Sequence, residues 1–332
     1  MRRYPGVLAI LLGAVAGISQ AAANRVQSAD PHSERIYFSA LGKAERPVLG
    51  LEAKDFDLRI NGVPTPMEGF RAGLPHTDHS VPLVAWILLD FNPNIKNAPI
   101  KNQVDAVAGA FDMLNPASAL GVKLVSDRSE TLAPLAHDPK ALRNAFLQYD
   151  QRRAELKVGI KTDSVQVGAG GIARALEYAL DDIDECVKSD PALRDREVAR
   201  AAMIISNGNL NPSYNLKTLY AKAARESVSL YPVFLPSGTF GAWIEYYFNL
   251  AQKTDGVAAF FGAIAPGKEF YSPPRNNQAP NALTANFIHM IRDINGKYSF
   301  TIPPPPPAQQ SRIKLICKVK GVKIRLARTI LP

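Results

Sequence analysis

Short, mainly apolar runs recur along the middle of the chain and alternate with segments of helical periodicity. The apolar runs cover residues 84–89, 120–125, 202–206, 229–235 and 257–261. Each has the length of a strand, and a strand that is apolar at every position is typical of a parallel sheet covered on both faces. Helical patterns occupy residues 100–114, 139–149, 171–187, 216–226, 243–254 and 281–294. This alternation predicts an α/β fold that is doubly wound and Rossmann-like, with a mainly parallel sheet.

Both ends of the chain have the alternating pattern of strands with one buried face. Residues 35–41 and 57–60 are strand-like, and Asn61-Gly62 follows them as a hairpin signal, because both residues tolerate the positive φ of a tight turn. Residues 298–302 and 312–330 are again strand-like. Neither end has enough strands to bury a stable face alone. We therefore predict that the two ends form a small β-sandwich, with the α/β domain inserted between them.

These patterns divide the chain into five parts. Residues 1–23 are a predicted signal peptide, 24–78 an N-terminal β module, 79–270 the α/β domain, 271–296 a linker with a helix, and 297–332 a basic β-hairpin that completes the β module.

The signal peptide is indicated by two arginines, an uncharged apolar run from Val7 to Ile18, and small residues after it. That run is too short for a transmembrane helix, which needs about 20 residues. We expect a secreted or periplasmic protein with no transmembrane segment after cleavage.

The net charge of +9 over 332 residues is concentrated at the C-terminal end, since no Asp or Glu follows Asp293. Export argues against nucleic acid as a partner. The predicted basic face comprises Lys314, Lys318, Lys320, Lys323, Arg325 and Arg328. Such a face suits an anionic envelope polymer or a lipid surface, but lysines also keep ordinary edge strands soluble. The sequence leaves open whether the two cysteines, Cys186 and Cys317, are bridged.

Candidate site residues follow two of the apolar runs. In an open parallel sheet, ligands bind beyond the carboxyl ends of the strands. The first run ends at Asp90, and Asn92 and Asn94 come directly after it. The run at 202–206 is followed by Asn207.

With these segments the sequence resembles the von Willebrand factor type A domain, and in particular the secreted VWFA-related proteins known mainly from acidobacteria. Residues 168–176 are similar to the family's Gly-Gly-Thr segment, and residues 204–208 to its Ser-Asp-Gly strand end. The further similar segments are residues 47–51, 54–62, 250–261 and 297–300. The resemblance covers nearly all of the chain after the predicted signal peptide. It implies a metal-ion-dependent adhesion site, in which two Asp, two Ser and one Thr position a divalent cation for a partner's carboxylate.

This chain departs from that pattern at most positions. Asp90 is retained, but Asn92 and Asn94 replace the two serines, Gly170 replaces the threonine and Asn207 replaces the second aspartate. Hard divalent cations need oxygen ligands and charge. We therefore expect a degenerate site with no bound metal and no other cofactor. The alternative is residual Mg²⁺ or Ca²⁺ binding through Asp90 and the three asparagine amides, and Asp90 could equally cap a backbone turn.

The sequence contains no established catalytic motif, so no catalytic residue is assigned and we expect a non-enzymatic adhesion or scaffold module that binds a protein. Its binding rim would comprise Asp90, Asn92, Asn94, Gly170 and Asn207. One alternative is an extracytoplasmic hydrolase, which a Ser/His or carboxylate pair in a deep pocket would favour. Another is a structural envelope component held by the basic face; unchanged retention on anionic material after neutralising its lysines would contradict that alternative.

Overall fold

The computed structural model describes residues 34–43, 47–74, 80–90, 114–125, 129–159, 171–194, 196–206, 216–234, 244–260, 263–264, 282–302 and 312–326. Outside these ranges lie the predicted signal peptide, most of the predicted helix at 100–114, and the site residues Asn92, Asn94, Gly170, Asn207 and Arg328. None of the helices within the described ranges has both the length and the apolar character needed to cross a membrane.

The elements fall into three groups along the chain. The first group is β1 (Glu34–Leu41), β2 (Phe56–Ile60), β3 (Val63–Pro64) and β4 (Glu68–Arg71). The second is β5 (Leu83–Asp90), β6 (Ala119–Val125), β7 (Ser129–Ala136), α1 (Pro139–Gly159), α2 (Gly171–Ser189), β8 (Ala199–Ser206), α3 (Leu216–Arg225), β9 (Val228–Phe234), α4 (Ile244–Lys253), β10 (Ala259–Phe260) and β11 (Ala263–Ile264). The third is α5 (Ala282–Asn295), β12 (Tyr298–Ile302), β13 (Ile313–Cys317) and β14 (Lys323–Leu326).

The second group builds a seven-stranded sheet in the order β11-β10-β9-β8-β5-β6-β7. Strands β10, β9, β8, β5 and β6 are parallel, whereas β7 and β11 run antiparallel at the two edges. The sequence prediction of an α/β fold with a mainly parallel sheet is confirmed. Strand β5, the first of the group, lies inside the sheet, with β6 and β7 on one side and β8, β9 and β10 on the other. This is the strand order of a doubly wound sheet.

Helices cover both faces of this sheet, which explains the continuous apolar runs. One face packs against α1 and α5 through Phe146 and Phe287, and the other against α2 and α4 through Leu180 and Tyr247. Every residue of β5, β6 and β9 is buried as a result. The edge strand β7 was not predicted, because half of its residues are exposed and it lacks the apolar run of the inner strands.

The first and third groups of strands pair with each other. Strand β1 lies between β12 and β14 in a four-stranded sheet, and β2 lies between β13 and β3 in a three-stranded sheet. The two sheets share one hydrophobic cluster around Phe38, whose ring centroid lies 5.2 Å from that of Phe56 and 5.4 Å from that of Tyr298. The predicted turn joins β2 to β3, with φ of 54° at Asn61 and 87° at Gly62. We call these two sheets the terminal-strand unit.

The predicted basic hairpin at the C-terminal end is wrong. Strand β13 pairs with β2, and β14 pairs with β1, so the two basic strands belong to different sheets. The physical reason is that apolar and charged side chains alternate along β14, so that its two faces contact different parts of the protein. Ile324 and Leu326 pack against the cluster of the terminal-strand unit. The intervening Arg325 points to the opposite side, towards Asp255 and Asp293. These two residues belong to the seven-stranded sheet and its helices α1 to α5, which we call the α/β unit.

Arg325 is therefore largely buried, with 13% of its side chain exposed, and is not part of an exposed basic face. Its Nε lies 2.8 Å from Asp255 Oδ1, and its Nη2 lies 2.6 Å from Asp293 Oδ1. Both aspartates belong to the α/β unit and its last helix, and each side chain is 2% exposed. A guanidinium can bridge two carboxylates because its donors form a rigid planar fork.

Further polar groups complete this buried network. Lys297 Nζ lies 3.3 Å from Asp255 Oδ2 and donates to Ser229 Oγ at 2.5 Å. The hydroxyl of Tyr231 donates to Asp293 Oδ2 at 2.8 Å. The two carboxylates are thus matched by two cations, which offsets much of the free energy needed to bury them.

Local backbone geometry places Asp255 in the network. It follows α4 with a φ of +54°, a conformation that Asp tolerates better than most residues. The next residue must be glycine, because a Cβ at Gly256 would lie 1.9 Å from the carbonyl oxygen of Leu230. The turn is thereby pressed against the start of β9.

The charges also fix how the network responds to pH. Burial alone raises the pKa of Asp293, but the charges of Arg325 and Lys297, with hydrogen bonds from Arg325 and Tyr231, outweigh it and hold that pKa below its ordinary value. A depressed carboxyl pKa contributes stability above the ordinary value, which is lost as the pH falls through the folded value. The network therefore stabilises the fold at neutral pH and fails only in acid.

Replacing Arg325 should destabilise the whole protein. In Arg325→Met, Asp293 loses its direct ion pair while remaining buried, so we expect the free energy of unfolding to fall by about 3–5 kcal/mol. Urea denaturation at pH 7 measures this change. The matched control is Lys323→Met, an exposed lysine on the same strand, for which we expect a change within about 0.5 kcal/mol. Equal effects of the two substitutions would contradict the buried role of Arg325.

Candidate functional site

Asp90 lies at the carboxyl edge of the central sheet, as the sequence predicted for a ligand site in such a fold. It is the last residue of β5, and the neighbouring parallel strand β8 ends at Ser206. The register pairs Leu89 with Ile205, so the two following side chains are neighbours. Asp90 is 2% exposed and Ser206 is 1% exposed.

Hydroxyl groups of the protein interior hold Asp90 in place by hydrogen bonds to its side chain and backbone. Ser206 Oγ donates to Asp90 Oδ2 at 2.5 Å, and Tyr247, from α4, donates its hydroxyl to Ser206 Oγ at 3.5 Å. From α1, the Tyr149 hydroxyl donates to the backbone oxygen of Asp90 at 3.2 Å. The other carboxylate oxygen, Oδ1, is buried and has no hydrogen-bond partner among the described residues. Among the described residues, one oxygen of Asp90 thus accepts a hydrogen bond and the other accepts none.

Burial makes the Asp90 carboxylate unusually basic. Desolvation raises its pKa from 3.8 to about 6, although the hydrogen bond from Ser206 opposes this rise. Within the described ranges no lysine or arginine forms an ion pair with it. Burial also raises the pKa of Tyr247, with the Asp90 charge acting in the same direction, so the phenol remains a proton donor at neutral pH. The described part of this edge therefore gives Asp90 no counter-charge.

The residues present fit a divalent metal poorly. A carboxyl ligand must lose its proton to bind metal, and burial opposes that loss at Asp90. One of its oxygens already accepts a hydrogen bond from Ser206. Within the described ranges, no group of three His, Cys, Asp or Glu residues could hold a metal ion. The resemblance drawn from the sequence puts Asn207 at the position of the second aspartate, which would leave one formal charge where the resembled site has two.

Only part of the predicted rim can be located. The structure places Asp90 at the expected edge, while Asn92, Asn94, Gly170 and Asn207 lie outside the described residues. Sequence reasoning missed the role of Ser206 as the hydrogen-bond donor to Asp90. The available signal was that two neighbouring parallel strands end in polar residues at the same register. Nothing in the sequence pointed to Tyr149 or Tyr247, since both occur on ordinary amphipathic helices.

Comparison with protein-family models gave no match, and comparison with curated protein sequences also gave no match. Several solved structures are similar to this chain. The conserved hypothetical protein BatB from Bacteroides thetaiotaomicron is 15% identical with a TM-score of 0.36, over 63% of this chain and 98% of that one. The N-terminal domain of TFIIH p34 is 16% identical with a TM-score of 0.43, over 63% and 98%. A von Willebrand factor type A protein from Catenulispora acidiphila is 11% identical with a TM-score of 0.42, over 89% and 73%.

The remaining candidates from the sequence have separate locations. Lys314, Lys318, Lys320 and Lys323 are exposed, as the basic-face prediction required, but Arg325 is not. Lys318 donates to the backbone oxygen of Lys54 at 2.8 Å. Cys186 on α2 and Cys317 on β13 are both free thiols, so no disulfide joins the two units through them.

Substituting Asp90 by asparagine should stabilise the protein in a pH-dependent way. Above pH 6 the folded protein carries a buried charge, and below about pH 4 the carboxyl group is neutral in both the folded and unfolded states. Asp90→Asn should therefore raise the free energy of unfolding at pH 8 by roughly 2–3 kcal/mol, since each pKa unit corresponds to about 1.4 kcal/mol. At pH 4 the gain should nearly vanish. Urea denaturation across this pH range measures both values.

The control for this experiment is Glu68→Gln, which neutralises an exposed carboxylate on β4. We expect that substitution to change stability by less than about 0.5 kcal/mol at either pH. An Asp90→Asn variant that is less stable than the parent protein at pH 8 would contradict the assignment of a buried, destabilising charge to Asp90.

Proposed function

We propose that this chain is a von Willebrand A-like interaction module that binds a protein partner at the carboxyl edge of its central sheet. Its action is adhesion or scaffolding rather than catalysis. The site is a degenerate form of the metal-ion-dependent adhesion site and works without a metal. The module acts in the secreted or periplasmic space, and its terminal strands form a small β-sandwich.

The observation that carries this proposal is the position of Asp90. A carboxylate at the end of the first strand of a doubly wound sheet lies where such sheets bind ligands. Its buried Oδ1 lacks a hydrogen-bond partner in the described part of the chain, and unsatisfied buried acceptors are rare unless something else satisfies them. A donor group from a partner, such as an amide or an ammonium, suits this oxygen better than a second carboxylate does.

Metal independence is supported by the same geometry. In the resembled site, a cation neutralises the aspartates and offers its open position to a partner's carboxylate. Here the charge to be neutralised is a single carboxylate whose pKa is raised to about 6. A neutral or positively charged partner group suits such a carboxylate without a bridging cation. We therefore propose that the partner presents a hydrogen-bond donor and not an acidic residue.

The partner prediction can be tested with a variant of the rim. Envelope proteins of the native host would be captured by the wild-type chain, with and without a chelator, and identified. We expect a partner whose retention does not change with chelator and falls at least tenfold with Asn92→Arg, because a bulky cation then blocks the edge. The matched control is Gln252→Arg, the same amide-to-arginine change at an exposed position of α4.

Two results would contradict the proposal. One is a partner that is lost equally with Asn92→Arg and Gln252→Arg, which would indicate a general charge effect. The other is a set of captured proteins that is the same for all three chains, which would show that the rim is not used.

The metal prediction is tested by calorimetry with Mg²⁺, Mn²⁺ and Ca²⁺. We expect no saturable binding at micromolar concentrations of any of the three, because one neutralisable carboxylate and amide oxygens supply too little charge. Micromolar binding that Asp90→Ala abolishes would show that the site retains its metal function.

A further inference from the structure

A cavity of about 770 Å³ lies between the terminal-strand unit and the amino edge of the central sheet. One wall comes from β1 and the residues beside β4 and β12, including Tyr37, Arg71 and Lys297. The opposite wall includes Ala199 and Val228, the first residues of β8 and β9. The cavity is thus at the opposite edge of the sheet from Asp90. Its volume is within the range of small-molecule sites.

The charges lining this cavity are unbalanced. Five cationic side chains contribute to the wall, and the carboxylates among the lining residues are Glu197 and Asp255. The five cations are Arg35, Arg71, Arg196, Arg200 and Lys297. Arg71 pairs with Glu197, Lys297 with Asp255, and Arg200 with Asp184. Within the described ranges, Arg35 and Arg196 line the cavity without an ion pair.

Arg35 is held in place by neutral groups. Its Nη1 donates to Ser299 Oγ at 2.9 Å and to the backbone oxygen of Gly69 at 3.4 Å. Among its contacts in the described part of the chain, both hydrogen bonds use Nη1, so Nε and Nη2 are available to a ligand. A guanidinium with two adjacent free donors matches the geometry of a carboxylate or phosphate group.

Tyr37 marks the centre of this basic region. Its hydroxyl donates to Glu197 Oε1 at 3.3 Å. Burial raises the pKa of Tyr37, while the charges of Arg35, Arg71 and Arg200 oppose that rise. Glu197 thus pairs with Arg71 and accepts a hydrogen bond from Tyr37, whereas Arg35 has no carboxylate partner in the described part of the chain.

We propose that this cavity binds a small organic anion whose carboxylate or phosphate group lies against Arg35. The ligand's less polar part rests on the apolar wall formed by Val198, Val228 and Ile294. Such an arrangement is that of a typical ligand site, in which apolar lining supplies burial and a few polar groups supply orientation. A bound anion also neutralises a cation that the protein itself leaves without a counter-charge.

The proposal is tested by calorimetric titration of the full chain with citrate and, separately, with inorganic phosphate, at constant ionic strength in chloride. We expect saturable binding of at least one of the two probes. Binding of citrate alone assigns a carboxylate ligand, and binding of phosphate alone assigns a phosphate group. Arg35→Gln should weaken that binding about tenfold or more, because a charge-assisted contact is lost.

Matched variants separate a specific site from general effects of salt. Arg196 lines the same cavity and has no ion pair within the described ranges. The Arg196→Gln variant should therefore fold normally and weaken binding about threefold. Lys314→Gln removes the same charge from an exposed strand position outside the cavity and should leave binding unchanged within about twofold. The proposal is overturned if neither probe binds saturably, or if Lys314→Gln weakens binding as much as the two cavity variants do.

Discussion

Arg325 brings a positive charge from the terminal strands to the boundary with the α/β unit, where Asp255 and Asp293 accept it. Burying any of these groups alone would be unfavourable by several kcal/mol, so each requires the others. The strand that carries Arg325 is the last described element of the chain, while the two aspartates follow α4 and lie on α5. The network therefore joins distant parts of the sequence at one point and fixes the terminal-strand unit against the central sheet.

This attachment gives the two edges of the sheet different properties. The amino edge is covered by the terminal-strand unit and encloses the cavity lined by Arg35 and Tyr37. The carboxyl edge carries Asp90, whose buried side chain accepts a hydrogen bond from Ser206. A basic, enclosed region at one edge and a buried acidic group at the other suit different ligands. Under the two proposals, a protein partner at the carboxyl edge and a small anion at the amino edge would occupy separate sites.

Local patterns predicted the elements that depend on local physics. The continuous apolar runs identified β5, β6, β8 and β9 because both faces of those strands are buried, and Asn61-Gly62 identified its turn through the positive φ that both residues adopt. The position of Asp90 followed from a general property of parallel sheets. Features made by contacts between distant segments could not be predicted. Arg325 looks like any cation in an alternating strand, and only the pairing of β14 with β1 turns it towards Asp255.

The same limit applies to the cavity, whose five cations come from four separate segments and have no common motif. The most direct test of the central claim is a double-mutant cycle on the free energy of unfolding, combining Arg325→Met with Asp293→Asn. If the two side chains form one buried pair, the double variant should lose less than the sum of the single losses, with a coupling energy above about 1 kcal/mol. Additivity within about 0.5 kcal/mol would contradict the view that this network holds the two units together.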